Sequence, residues 1–219
     1  MLHYQTDNGY QPACVIAGAG ADLGLAIAER YADHGFRAFV LLPRPSQLGK
    51  SLAPMRNRGL EIASMSCDVS KPASVEKALR RVHDLAGRCD VVIYNALAPP
   101  HDRTSSLLPK TAIAEFRTGV AGALAFVNAT VAEMRSRCNG ALLFSICLCK
   151  RQGSAPQYPG IVEAALRALV ASMACDVEAD GIRVGMLTID GEMPTRPFEL
   201  RQLAESYWQL FTTSESSRN

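Results

Sequence analysis

Six short, nearly unbroken apolar runs separated by longer amphipathic segments constrain this chain more than any other feature. The runs are Ala13 to Ala17, Ala38 to Leu42, Glu61 to Cys67, Val91 to Asn95, Ala141 to Ile146 and Arg183 to Ile189. Strands buried on both faces read this way, without the polar alternation of a half-exposed sheet. Between them the helical spacing of apolar residues predicts helices over Leu23 to His34, Gln47 to Asn57, Ala73 to Ala86, Ile113 to Arg137 and Ile161 to Glu178. A last helix is predicted over Glu199 to Phe211. This βαβα rhythm specifies an α/β fold, a doubly wound parallel sheet with helices on both faces. Ser70 and Pro72 open one helix, and Gly35 and Gly181 close two others.

No linker or repeat divides the 219 residues, so a single domain over 1–219 is expected, with flexible ends near 1–11 and 212–219. With 48% hydrophobic residues, 20% charged residues and a net charge of +2, neither nucleic acid nor a membrane is an expected partner. The most apolar stretch, Gly119 to Ala132, is too short to span a bilayer, and the first dozen residues lack the pattern of a secretory signal. Seven cysteines with no C-x-x-C and no clustering with the four histidines read as reduced, buried thiols of a cytoplasmic protein, with no metal site.

Chemistry enters at Gly18-Ala-Gly20-Ala-Asp22-Leu23-Gly24, between the first strand and the first helix. There, backbone N–H groups and the positive end of a helix can meet a pyrophosphate. The G-x-G-x-x-G spacing fails by one residue, because Leu23 occupies the place of the last glycine. A tight β-to-α turn that needs glycine for its backbone geometry explains the same residues equally well.

The looser Gly-x-x-x-Gly-x-Gly pattern, then Asp68-Val69, then Asn95-Ala96, resembles the short-chain dehydrogenase/reductase family. Gly140-Ala-Leu-Leu-Phe, Ala164-Ala-Leu-Arg-Ala-Leu, Gly181-Ile-Arg-Val and Ile189-Asp190-Gly191 extend the resemblance from about Pro12 to Leu210. It implies a Rossmann-like fold that binds NADP or NAD, with Asp68 against the adenine and Asn95-Ala96 beside the adenosine ribose. A strand-end Asx turn and a plain strand terminus are the alternatives for those residues.

The departures from that pattern carry as much weight. Asp22 stands where the family has its middle glycine. As a helix N-cap it would add about 1 kcal/mol of stability. Facing a phosphate at about 5 Å with an effective dielectric near 20, it would cost roughly 3 kcal/mol, about a hundredfold in affinity. Pro43-Arg44-Pro45 replaces the acidic residue that selects NAD, so NADP through Arg44 is the cofactor expected, if any binds. Arg44 as a solvated loop charge fits equally well.

The family's acid–base chemistry rests on a Tyr-x-x-x-Lys pair, a serine before it and an asparagine on the preceding long helix. No Tyr-x-x-x-Lys occurs in this sequence. Aligning the alanine-rich helix puts Glu163 in the lysine position, Pro159 in the tyrosine position, Cys147 at or near the serine and Gly119 at the asparagine. Tyr158, Cys147 and Glu163 are the remaining catalytic candidates. The segment between Gly191 and the last predicted helix is shorter than the family's lid, and the family's last strand is not found before the chain ends.

Two functional classes are therefore expected. One is a scaffold with its catalytic tetrad lost, a non-catalytic or regulatory subunit that dimerises with itself or with an intact relative. The alternative is an NADP(H)-dependent oxidoreductase of a small carbonyl or alcohol, with Tyr158 as proton donor. A third and lesser reading is a non-redox proton transfer with Glu163 or Asp22 as base.

Overall fold

The strands lie in the order β3-β2-β1-β4-β5-β6, all parallel. They span β1 Ala13–Ala17, β2 Arg37–Leu42, β3 Ile62–Ser66, β4 Val91–Tyr94, β5 Gly140–Leu148 and β6 Ile182–Asp190. This architecture comes from a computed structural model, which describes residues 10–95, 108–148, 159–190 and 195–216. The helices are α1 Gly20–Ala32, α2 Gly49–Asn57, α3 Pro72–Ala86, α4 Pro109–Phe116, α5 Gly122–Arg137, α6 Pro159–Val177 and α7 Pro197–Ser216. Every strand predicted from an apolar run is present, with ends shifted by a residue or two.

Two apolar layers explain why the strands lack polar alternation. Val15, Phe39, Val92, Tyr94, Leu142 and Phe144 face α3, α5 and α6. Ile16, Val40, Ile93 and Leu143 face α1, α2 and α7 on the other side. Each fully buried aliphatic side chain of this size contributes roughly 1.5–3 kcal/mol relative to exposure. The four inner strands are committed to the two layers at nearly every position, edge strand β3 only in part, and the result is a single Rossmann-like domain.

Three differences from the sequence reading have physical causes. Helix α1 begins at Gly20, with Ala19 as its cap and no side-chain capping bond, so Asp22 is not the N-cap; it stands exposed in the first turn. Helix α7 continues to Ser216, past the expected frayed tail at Thr212, because Tyr207, Trp208 and Phe211 are buried against α1. The single helix expected over Ile113 to Arg137 is instead α4 and α5 joined by a π-helical turn, Arg117–Ala121.

At the amino edge of the sheet the buried Asp90 carboxylate accepts bonds from the Ala13 N–H and the Tyr10 hydroxyl, each at 2.8 Å. Arg88 and Arg137 pair with it at 2.9 and 2.8 Å. A buried acid needs partners of this kind, and these lie at the edge opposite the glycine turn.

Candidate cofactor cleft

The strand order reverses between β1 and β4, and ligands of open α/β sheets bind outside the carboxyl ends of strands at such a point. The Gly18 to Gly24 turn lies there. Gly18 and Gly20 have φ of +76° and +69°, a region that side chains with a Cβ rarely enter. Gly24 is needed for packing, since a Cβ on it would lie 2.9 Å from Val40 Cγ1. Leu23 is buried in the core, so its side chain does not face the turn's open side.

Asn95 joins this turn directly, its N–H donating to the Ala17 carbonyl at 2.9 Å. Its side chain is 1% exposed and turned inward, where Ser145 Oγ donates to Asn95 Oδ1 at 2.6 Å. Ala96 lies outside the described residues. Along the same edge, Cys67 N–H donates to the Leu42 carbonyl at 3.0 Å, bringing the β3 end beside the loop that holds Arg44. Arg44 is exposed and forms no ion pair among the described residues.

Asp68 is an Asx turn as well as an edge residue. Its Oδ1 accepts from the Ser70 N–H at 3.1 Å and hydroxyl at 2.6 Å, and Lys71 Nζ pairs with Oδ2 at 2.8 Å. Lys71 and Ser70 hold the carboxyl below its ordinary range. The side chain remains 40% exposed, so part of it is open to a ligand. Val69 is half-buried and turns its carbonyl toward α5.

Of the catalytic candidates, only Glu163 has a described side chain. Tyr158 lies outside the described residues. Cys147 is the penultimate residue of β5, opposite Ile189, and only its backbone is described. Glu163 is half-buried on α6, three residues before Leu166 and seven before Val170, both in the core. Helical spacing thus sets it at the head of the buried stripe, near the carboxyl ends of the strands. Burial raises its pKa, while Arg167 opposes the shift.

The π-turn was not legible beforehand. Tyr94, fully buried at the end of β4, donates its hydroxyl hydrogen to the Thr118 carbonyl inside that turn. A Cβ on Gly122 would collide with this hydroxyl and lie 2.6 Å from the Val69 carbonyl. A Cβ on Gly119 would overlap Val162 Cγ1 of α6. Any side chain at Gly119, the position aligned from sequence with the family's helix asparagine, would have to displace the Val162 methyl. The available signals were a tyrosine directly before Asn95-Ala96 and two glycines three apart in a helical stretch.

The glycine turn, Asn95, Asp68 and Arg44 all lie at the carboxyl ends of β1 to β4, with Asp22 the exposed acid beside the turn. Among the described residues no group of His, Cys, Asp and Glu could hold a metal ion, and no helix is long and apolar enough to cross a membrane.

A pig protein described as dehydrogenase/reductase SDR family member 4 is 25% identical over 175 residues, 75% of this chain and 60% of that protein. Other curated relatives are matched over 32% and 41% of their lengths, so the chain spans less than two thirds of them. Among solved structures, a metagenomic short-chain oxidoreductase in complex with NADP superposes with a TM-score of 0.78 at 20% identity, over 90% of each chain. An alcohol dehydrogenase from the archaeon Thermococcus sibiricus, complexed with 5-hydroxy-NADP, gives 0.76 at 24% identity over 92% of this chain and 90% of that one. At these identities the superpositions establish the fold. The model of the short chain dehydrogenase family matches residues 12–191, and with the strand order and the glycine turn this places the chain in that family.

Proposed function

We propose that this cytoplasmic chain is a short-chain dehydrogenase scaffold that acts as a non-catalytic or regulatory subunit, dimerising with itself or with an intact relative. The observation that carries the reading is the contact between Gly119 and Val162. The place for a helix asparagine is filled by packing, in a sequence that also has no Tyr-x-x-x-Lys and carries Glu163 in the lysine position. A carboxylate there reverses the field that would lower a neighbouring phenol's pKa. NADP is the cofactor to test, with Arg44 placed for a 2′-phosphate and Asp22 opposing the pyrophosphate.

The outer faces of α4, α5 and α6 support the dimer. Ile113, Phe116 and Leu124 are 53%, 44% and 40% exposed, and Ala121, Ala164, Ala168 and Ala171 lie exposed nearby. Small residues let helix axes approach closely, and large exposed apolar side chains mark association surfaces. Native mass spectrometry of the protein, alone and mixed with an intact family member, tests the reading. A dimer that Ala168→Arg converts to folded monomer is expected. A monomer at micromolar concentration in every mixture refutes the subunit role. Turnover of a small ketone with NADPH, abolished by Tyr158→Phe, would establish the oxidoreductase alternative instead.

A further inference from the structure

Beneath the glycine turn, Asn95, Ser145 and Tyr207 meet in the layer between the sheet and α7. Their exposures are 1%, 1% and 0%. Two of their polar atoms, Asn95 Nδ2 and Tyr207 Oη, are fully buried and have no hydrogen-bond partner among the described residues. Both flank Ser145. Its hydroxyl donates to Asn95 Oδ1 at 2.6 Å and neighbours the Tyr207 hydroxyl, whose pKa burial raises while Ser145 opposes the shift.

Counting hydrogens shows that the three side chains cannot satisfy one another. Ser145 has one hydrogen, and Asn95 Oδ1 takes it. With the Tyr207 hydrogen given to the Ser145 oxygen, the Asn95 amide hydrogens still have no acceptor. Turning the amide over sends one of its hydrogens to Ser145 and frees the Ser145 hydrogen for Tyr207 Oη. The amide oxygen and the Tyr207 hydrogen are then unserved. Buried polar groups are rarely left in that condition, and a buried water bonded to several of them is the usual remedy.

We propose that the structure holds an internal water site between Asn95 Nδ2 and Tyr207 Oη, beside Ser145, and that Tyr207 positions Asn95 through this water. A water accepts from the amide nitrogen, or donates to the amide oxygen when the amide is turned over, and exchanges a bond with the phenol, so it serves the network in either amide orientation. The consequence is a link across the molecule. Asn95 N–H is bonded to the Ala17 carbonyl, one residue before the glycine turn, while the Tyr207 carbonyl accepts from Tyr31 Oη of α1 at 3.2 Å. The water thereby couples α7 to the carboxyl ends of β4 and β5 under the cleft. The site takes a single water or a ligand hydroxyl of that size, and it does not depend on whether the chain is catalytic or dimeric.

A crystal structure of the full chain at a resolution that reveals ordered water tests the site directly. One water within hydrogen-bond distance of both Asn95 Nδ2 and Tyr207 Oη is expected. Protein groups bonded to both atoms, or density for an empty space, overturn the proposal. Tyr207→Phe keeps the ring and removes the hydroxyl, and the positioning role is read in the side-chain amide signals of Asn95 by nitrogen-15 NMR. These should shift and exchange about tenfold faster, the factor set by one lost hydrogen bond. Unchanged Asn95 amide signals in a folded Tyr207→Phe protein would reject the positioning role.

Discussion

Replacing Tyr94 with phenylalanine isolates the contact that holds the π-turn. The Tyr94 ring packs against Phe126 and Phe144 at centroid distances of 5.5 and 6.5 Å, and phenylalanine retains both contacts. Only the hydroxyl is removed. The Thr118 carbonyl then loses its donor within a half-buried turn that is itself interrupted in its helical ladder. Leaving a buried acceptor without its donor costs about 1–3 kcal/mol, and relief from burying a phenol oxygen returns part of this. A net loss near 2 kcal/mol corresponds, for a domain of this size, to a fall in Tm of about 4–8 °C. Differential scanning calorimetry of both proteins, with amide exchange across Arg117–Ala121, gives the comparison. Exchange in the π-turn should accelerate more than elsewhere. A Tm within about 1 °C of the parent, with unaltered exchange in that turn, would refute the view that Tyr94 maintains it.

The remaining predictions concern the cleft. Asp22→Gly should strengthen NADPH binding by up to about a hundredfold, reduced by solvent screening because Asp22 is exposed in the first turn of α1; submicromolar binding by the unmodified chain in a fluorescence titration would contradict the premise. Glu163→Lys alone should leave NADPH-dependent ketone reduction undetectable in a spectrophotometric assay, since the acid–base groups of such a site act together and Gly119 remains closed by Val162. Asp68, whose pKa is lowered by Lys71 and Ser70, contributes stability above its ordinary 3.8 that is lost as pH falls through its lower folded value. Asp68→Asn should therefore flatten urea-measured stability below about pH 4 by a modest amount, given the exposure of the pair; an unchanged acid profile would show that the Asx turn does not store this stability.

The sheet was legible because β1, β2 and β4 are buried on both faces, a pattern visible within a few residues, although edge strand β3 is only half-buried. The glycine turn was legible for a similar local reason. What escaped the sequence depends on contacts between distant residues. Tyr94 and Thr118 are 24 positions apart, and nothing in either neighbourhood announces that a phenol will enter a helix from a strand. The exposed Asp22 side chain was readable only as a choice between cap and cleft, because the choice turns on whether α1 starts at Gly20 or at Leu23. Asn95 was read as a ribose neighbour or a plain strand terminus, and its inward turn toward Ser145 requires knowing that β4 and β5 are neighbours.

These long-range contacts also bear on how far the site could be rebuilt by substitution. The Gly119–Val162 contact belongs to the packing of α6 on the π-turn, and that turn is tied in turn to Tyr94 at the end of β4. An asparagine at position 119 must displace the Val162 side chain, the neighbour of Glu163 in the first turn of α6. Gly122 cannot yield, because the Tyr94 hydroxyl and the Val69 carbonyl occupy the space a side chain would need. Changes at 119, 162 and 163 are thus coupled through one packed junction, and contacting residues of this kind depart from additivity by about 0.5–3 kcal/mol. Under the reading proposed above, restoring a side chain at 119 perturbs the packing of α6 on the π-turn before it can restore chemistry.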